Sequence, residues 1–132
     1  MTPVSSEVRR RKRRVAFATD AMPALIQQES GGNGRAVSSA GALGSTQTLP
    51  GTAREMAGKL GVQFRPDLLQ SNDPAALDYQ KQLGSAYLQE GLQKTGNMRD
   101  ALRYYHGGPN RSLWGPKTNA YADSIMARLG GR

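Results

Sequence analysis

The stretch Met22-Pro23-Ala24-Leu25-Ile26-Gln27-Gln28-Glu29-Ser30-Gly31-Gly32-Asn33-Gly34 decides how the chain is read. Met22, Leu25, Ile26 and Glu29 recur at spacings of three and four, the period of one helix face. Pro23 suits a first helical turn, where its missing N–H has no partner to lose. The spacing predicts a helix over about 22–30, with Glu29 on the same stripe as three apolar residues. Gly31-Gly32-Asn33-Gly34 ends it, and the six glycines of residues 31–51 exclude a regular element there, leaving a long loop. A carboxylate that ends an apolar stripe beside such a loop is open to desolvation. Desolvation raises a carboxyl pKa towards the range a general acid needs. The plainer alternative is a solvated glutamate in a last helical turn.

Four further helices follow from the same spacing. One starts near Thr52, carries Ala53, Met56, Ala57 and Leu60, and stops at Gly61. After a connector over 62–72, Asp73-Pro74 opens the longest helix, with Asp at the cap and Pro in the first turn. Its stripe is Ala76, Leu77, Leu83, Gly84, Tyr87, Leu88, Gly91 and Leu92, and its two glycines imply close helix approach. A fourth helix spans about Asn97–Tyr105 and is stopped by Gly107-Gly108-Pro109. A fifth spans about Thr118–Leu129, aligning Tyr121, Ala122, Ile125 and Leu129. Strand alternation is hard to find, so the fold class is all-α, or mainly α.

The chain has 132 residues, 37% of them hydrophobic, enough for one small domain with a modest core. Its net charge of +8 is uneven. Residues 9–14 are six consecutive Arg or Lys, opposed within 1–14 by Glu7 alone, so +5 lies there and +3 in residues 15–132. Residues 1–14 read as a basic flexible arm and 15–132 as the domain. Such an arm aids solubility or attaches weakly to an anionic polymer; with no interleaved aromatic, it has nothing with which to stack on bases. There is no cysteine, so disulfides, thiol nucleophiles and thiolate metal sites are excluded. With His106 the single histidine, a His-rich zinc site is excluded too. Neither a metal nor a cofactor is implied. No apolar run approaches the ~20 residues of a membrane span. The basic residues ahead of Val15-Ala16-Phe17-Ala18 have a signal-like order, but Asp20 and Pro23 cut the apolar run short.

Glu29-Ser30-Gly31-Gly32-Asn33, then Arg35 through Gly44 with its Ala40-Gly41-Ala42-Leu43-Gly44, then Gln47, Pro50 and Thr52-Ala53, resembles the soluble lytic transglycosylases. These are peptidoglycan-cleaving enzymes of lysozyme-like fold, within the goose-type superfamily. The family's opening Glu-Ser falls on Glu29 and Ser30. Its second motif, commonly Gly-Leu-Met-Gln, reads Gly44-Ser45-Thr46-Gln47. Gly84, Tyr87 and Leu88 match a Gly-x-x-Tyr-Leu helix pattern. The usual Ala-Tyr-Asn-Ala-Gly reads Tyr104-Tyr105-His106-Gly107-Gly108, and Tyr121 occupies the place of a frequent family tyrosine. The resemblance covers about residues 22–129 in order.

This resemblance implies an active-site cleft beside the glycine-rich loop, in which Glu29 is the one catalytic residue. Glu29 protonates the bond between N-acetylmuramic acid and N-acetylglucosamine, then takes a proton from the sugar's own C6 hydroxyl, leaving a 1,6-anhydro end. Ser30, Thr46, Gln47, Tyr105, His106 and Tyr121 are the implied substrate-binding residues. Ser45-Thr46 in place of Leu-Met removes an apolar contact beside the sugar. His106 in place of Asn adds a group titrating near neutrality. Simpler readings stand beside these: Ser30 and His106 as helix-end groups, Gln47 as a loop brace, Tyr105 as core, and Trp114 as either a sugar platform or a loop anchor. The alternatives in function are a hydrolytic lysozyme and a non-catalytic wall-binding or virion structural domain. The implied partners are glycan strands and other proteins of a phage virion or a secretion machine. The implied place of action is the periplasm or cell wall, reached from a virion rather than by a signal peptide.

Overall fold

In the computed structural model, which describes the backbone of residues 6–130 and the side chains of residues 18–130, five α-helices carry the fold: α1 (Ser6–Ser30), α2 (Pro50–Leu60), α3 (Pro74–Thr95), α4 (Met98–Gly107) and α5 (Pro116–Gly130). Short 3-10 turns at Pro66–Leu68 and Arg111–Leu113 interrupt the connectors. Among the described residues no strand forms. The glycine-rich loop holds only isolated bridges, Val37 to Leu43 and Leu43 to Thr48. No helix among the described residues is long and apolar enough to cross a membrane.

The first helix starts far earlier than its apolar spacing predicts. It begins at Ser6 and runs through position 14, the expected end of an arm, to Ser30. Residues 1–5 of that arm lie outside the described residues. Arg and Lys are good helix formers, so their run contains no stop signal. Pro23 consequently sits inside the helix rather than in its first turn. A proline there removes one backbone bond, at ~3 kcal/mol in an unsupported helix. Burial of Ala18, Ala21, Met22 and Leu25 on either side offsets that cost.

The starts of the other helices, and the ends of α2, α4 and α5, lie within two residues of expectation, for identifiable reasons. Pro50 and Pro74 occupy first-turn positions. Asp73 takes the cap of α3, yet its side chain makes no cap bond. Asn97 does cap α4, its Oδ1 accepting from the Asp100 N–H at 2.9 Å.

The central element is α3, which joins two apolar cores. One packs Met22 and Leu25 of α1, Leu88 and Leu92 of α3, Leu102 of α4 and Ile125 of α5. The other packs Ala53, Met56 and Ala57 of α2 with Leu69, Tyr79 and Leu83. The glycines of α3 serve different neighbours. A Cβ on Gly91 would lie 2.9 Å from the Tyr104 ring, so α3 and α4 do meet there. A Cβ on Gly84 would instead meet Thr46 at 2.9 Å and Met22 at 3.1 Å, so that glycine admits the loop and α1.

Candidate active site

Glu29 is the penultimate residue of α1, and Gly31, at φ +64°, turns the chain out of the helix into the loop. Its carboxyl lines a cleft of about 440 Å³ between the glycine-rich loop on one side and α3 and the end of α4 on the other. Oε2 accepts a hydrogen bond of 2.9 Å from the Tyr121 hydroxyl of α5. Burial pushes the carboxyl up to about 7, against a smaller downward pull from the tyrosine bond. No other carboxylate lines this cleft among the described residues. A second hollow of about 400 Å³ touches Leu60 and α3, and its charged side chains, Asp78 and Lys81, stand exposed to solvent.

The remaining expected site residues divide between cleft and support. Gln47, Tyr105 and His106 line the cleft with Glu29. Gln47 has a left-handed backbone, φ +52°, and its Nε2 donates to the carbonyls of Gly44 at 2.9 Å and Ala36 at 3.2 Å. It therefore braces the loop as well as facing the cavity. Tyr105 is buried, donating from its hydroxyl to the Thr46 carbonyl at 2.8 Å, and burial drives the phenol well above its ordinary pKa. His106 Nδ1 lies 2.9 Å from Thr118 Oγ1, and its ring stacks on Tyr121 with centroids 4.6 Å apart. Its partner is thus a side-chain hydroxyl, where a helix-end role would use carbonyls.

Three expected contacts lie behind the cleft wall. Thr46 is 1% exposed and packs against Gly84, its hydroxyl 3.0 Å from that of Thr48. Ser45 is buried beside it, and neither side chain of the pair lines the cleft. The reason is Gly84, which leaves room for a threonine. Tyr121 is also buried and is absent from the cleft lining; its hydroxyl serves Glu29. Ser30 donates to the Ser45 carbonyl at 2.7 Å and accepts from Gly32 N–H at 3.1 Å, tying the end of α1 to the loop. Trp114 is an anchor: its Nε1 donates to the Gly108 carbonyl at 2.9 Å, with Arg111 over the ring at 5.1 Å.

Gln80 is a residue the sequence reading missed. It is 2% exposed, and its Oε1 accepts from Ser45 N–H at 2.8 Å. Its Nε2 reaches the carbonyls of Leu68, Ser71 and Gly34 at 3.0, 3.1 and 3.2 Å. One amide thereby fixes the loop and the connector before α3. Gly44, at φ +78°, approaches it so closely that a Cβ would lie 2.6 Å from the Leu69 carbonyl oxygen. The signal was present: Gln80 stands four residues from both Ala76 and Gly84, on the buried stripe. Thr48 and Tyr87 also line the cleft. Tyr87, which its spacing marks only as a helix-stripe residue, rests against Tyr104 and Tyr105 at centroid distances of 5.4 and 5.3 Å.

The family model described as Transglycosylase SLT domain matches residues 8–126. A protein named "Transglycosylase" from Enterobacteria phage PRD1 is 37% identical over 105 residues, which are 80% of this chain and 35% of that protein. Among solved structures, an inactive mutant of the lytic transglycosylase Slt from Pseudomonas aeruginosa is similar at TM-score 0.67 and 25% identity, over 89% of this chain and 22% of that one. The chain thus spans about a third of the phage protein and less of the bacterial enzyme.

Proposed function

Because the chain belongs to the transglycosylase SLT domain family, we propose that it cleaves the glycan strands of peptidoglycan as a lytic transglycosylase, with Glu29 as its only acid and base. The observation that carries this reading is the Glu29 carboxyl itself: held in a cleft, hydrogen-bonded to Tyr121, and raised to about 7 by burial. Such a group is partly protonated at neutral pH and can both give and take a proton. Glu29 donates to the glycosidic oxygen between N-acetylmuramic acid and N-acetylglucosamine as positive charge develops on the sugar ring. The carboxylate then accepts the proton of the muramoyl C6 hydroxyl, which closes onto the anomeric carbon and leaves a 1,6-anhydro end. Water is not consumed. Glycosidases with two carboxylates use the second as nucleophile or base, and among the described residues the cleft lining supplies Glu29 alone.

The other lining groups suit a neutral sugar. Both Gln47 amide hydrogen bonds go to loop carbonyls, which leaves Oε1 to accept from a glycan. Tyr105, kept neutral by burial, backs the cleft. The phage relative supports a role in opening the wall from a virion, with the glycan strand as the partner.

Digestion of purified peptidoglycan followed by mass spectrometry tests the reading. Anhydro ends are expected from the native chain and absent with Glu29→Gln. Reducing ends would assign hydrolysis instead, and intact strands at every pH would leave a wall-binding domain.

A further inference from the structure

The two nitrogens of His106 have different surroundings. Nδ1 meets the hydroxyl of the buried Thr118, while among the described residues Nε2 has no protein partner and the ring is open to the cleft. The ring lies at 29° to that of Tyr121, whose hydroxyl donates to Glu29. Imidazole and carboxyl thus share one phenol and one cavity.

The ionisable groups around His106 are few. The cleft lining adds Glu29 from α1, Tyr87 from α3 and Tyr105 from α4, and Tyr121 of α5 lies beneath the ring. The loop contributes Ser38 and Gln47, neither of which titrates. Nearby cations are engaged or outside the cleft. Arg103 and Arg111 both lie over Trp114 and pair with Asp100, and Lys117, next to Thr118 in sequence, is exposed. The described lining therefore contains no permanent cation.

We propose that His106 works as a neutral imidazole and that its protonation stops turnover, setting an acid-side limit that Glu29 alone would not impose. This rests on the lytic reading of the same cleft. A lone general acid stays protonated as pH falls, so its rate reaches a plateau on the acid side. A charged His106 works against the reaction in two ways. It places a cation in the cavity where the sugar becomes cationic. Through the Tyr121 ring and hydroxyl it also favours the carboxylate form of Glu29, so the two titrations are coupled. Burial already holds the imidazole below its ordinary pKa.

The test compares kcat/KM against pH, on purified peptidoglycan, for the native chain and His106→Asn, each normalised to its own maximum. The native profile is expected to fall about tenfold per pH unit on its acid side, while His106→Asn keeps its plateau there and retains the alkaline limb of Glu29. Should His106→Asn fail to fold, His106→Gln provides the same comparison. Identical acid limbs in native and variant chains overturn this proposal and leave the lytic reading intact. No turnover by the native chain at any pH removes both. NMR titration of the His106 ring gives a second readout: a minor step near pH 7 that disappears in Glu29→Gln is expected. A single step unchanged by that substitution overturns the coupling.

Discussion

The Tyr121 hydroxyl donates to Glu29 Oε2 across 2.9 Å, joining residues 92 positions apart in the chain. The bond stabilises the charged carboxylate and so partly counters the effect of burial. Tyr121→Phe removes the donor while keeping the ring on which His106 stacks. The bond is worth more to the carboxylate than to the neutral acid by roughly 1 kcal/mol, which corresponds to somewhat under one pKa unit. The Glu29 pKa should therefore rise by about half to one unit, and the alkaline limb of the pH–rate profile should move up with it. An unmoved limb in Tyr121→Phe would show that Tyr121 does not act on Glu29.

Glu29 also links stability to pH. Its folded pKa near 7 exceeds its ordinary 4.5, so the folded chain holds this proton more tightly than the unfolded chain does. The carboxyl costs nothing below about pH 4, costs more as pH rises between the two values, and costs its full amount above 7. That amount is on the order of 3 kcal/mol. Glu29→Gln cannot ionise and can still accept from Tyr121. In denaturant melts its stability relative to the native chain should improve by that margin between pH 4 and pH 8. A difference that stays constant with pH would contradict the raised pKa.

The parts of this site legible in sequence are those written in local punctuation. Glu29 stands out because an apolar stripe leads to it and Gly31-Gly32 ends the helix behind it. Pro50, Pro74 and Asn97 mark helix starts by the same local logic. The start of α1 had no such mark, because arginines and lysines continue a helix as readily as they form a tail. The loop has no period at all, so nothing local says which of Gly44, Ser45, Thr46 and Gln47 faces the cavity. That outcome is set by the empty space over Gly84 and by the amide of Gln80, both some 35 residues further along the chain.

Gln80 therefore controls the cleft wall from behind. Gln80→Leu fills similar space but leaves the Ser45 N–H without its acceptor and removes the donor to three carbonyls. Buried polar groups left unpaired cost ~1–3 kcal/mol each, and of these four only the Ser45 N–H and the Gly34 carbonyl lie in fully buried bonds. A loss of about 3–5 kcal/mol is expected in urea melts, with faster amide exchange at Ser45. Unchanged exchange there would mean that the loop is held by other contacts.

Thr46 provides the sharpest separation of core from cleft. In this fold its side chain is buried over Gly84, with the Tyr105 hydroxyl bonded to its own carbonyl. Thr46→Met, which restores the residue common in the family, would have to push a longer side chain into that contact. Overpacking of this kind costs about 1–3 kcal/mol. The prediction is a lower melting temperature for Thr46→Met. Pairing it with Gly84→Ala, whose new methyl occupies the same space, should give a loss exceeding the sum of the single losses, because the two additions compete for one volume. A Thr46→Met chain of native stability with a lowered KM for peptidoglycan would place this side chain in the cleft rather than over Gly84.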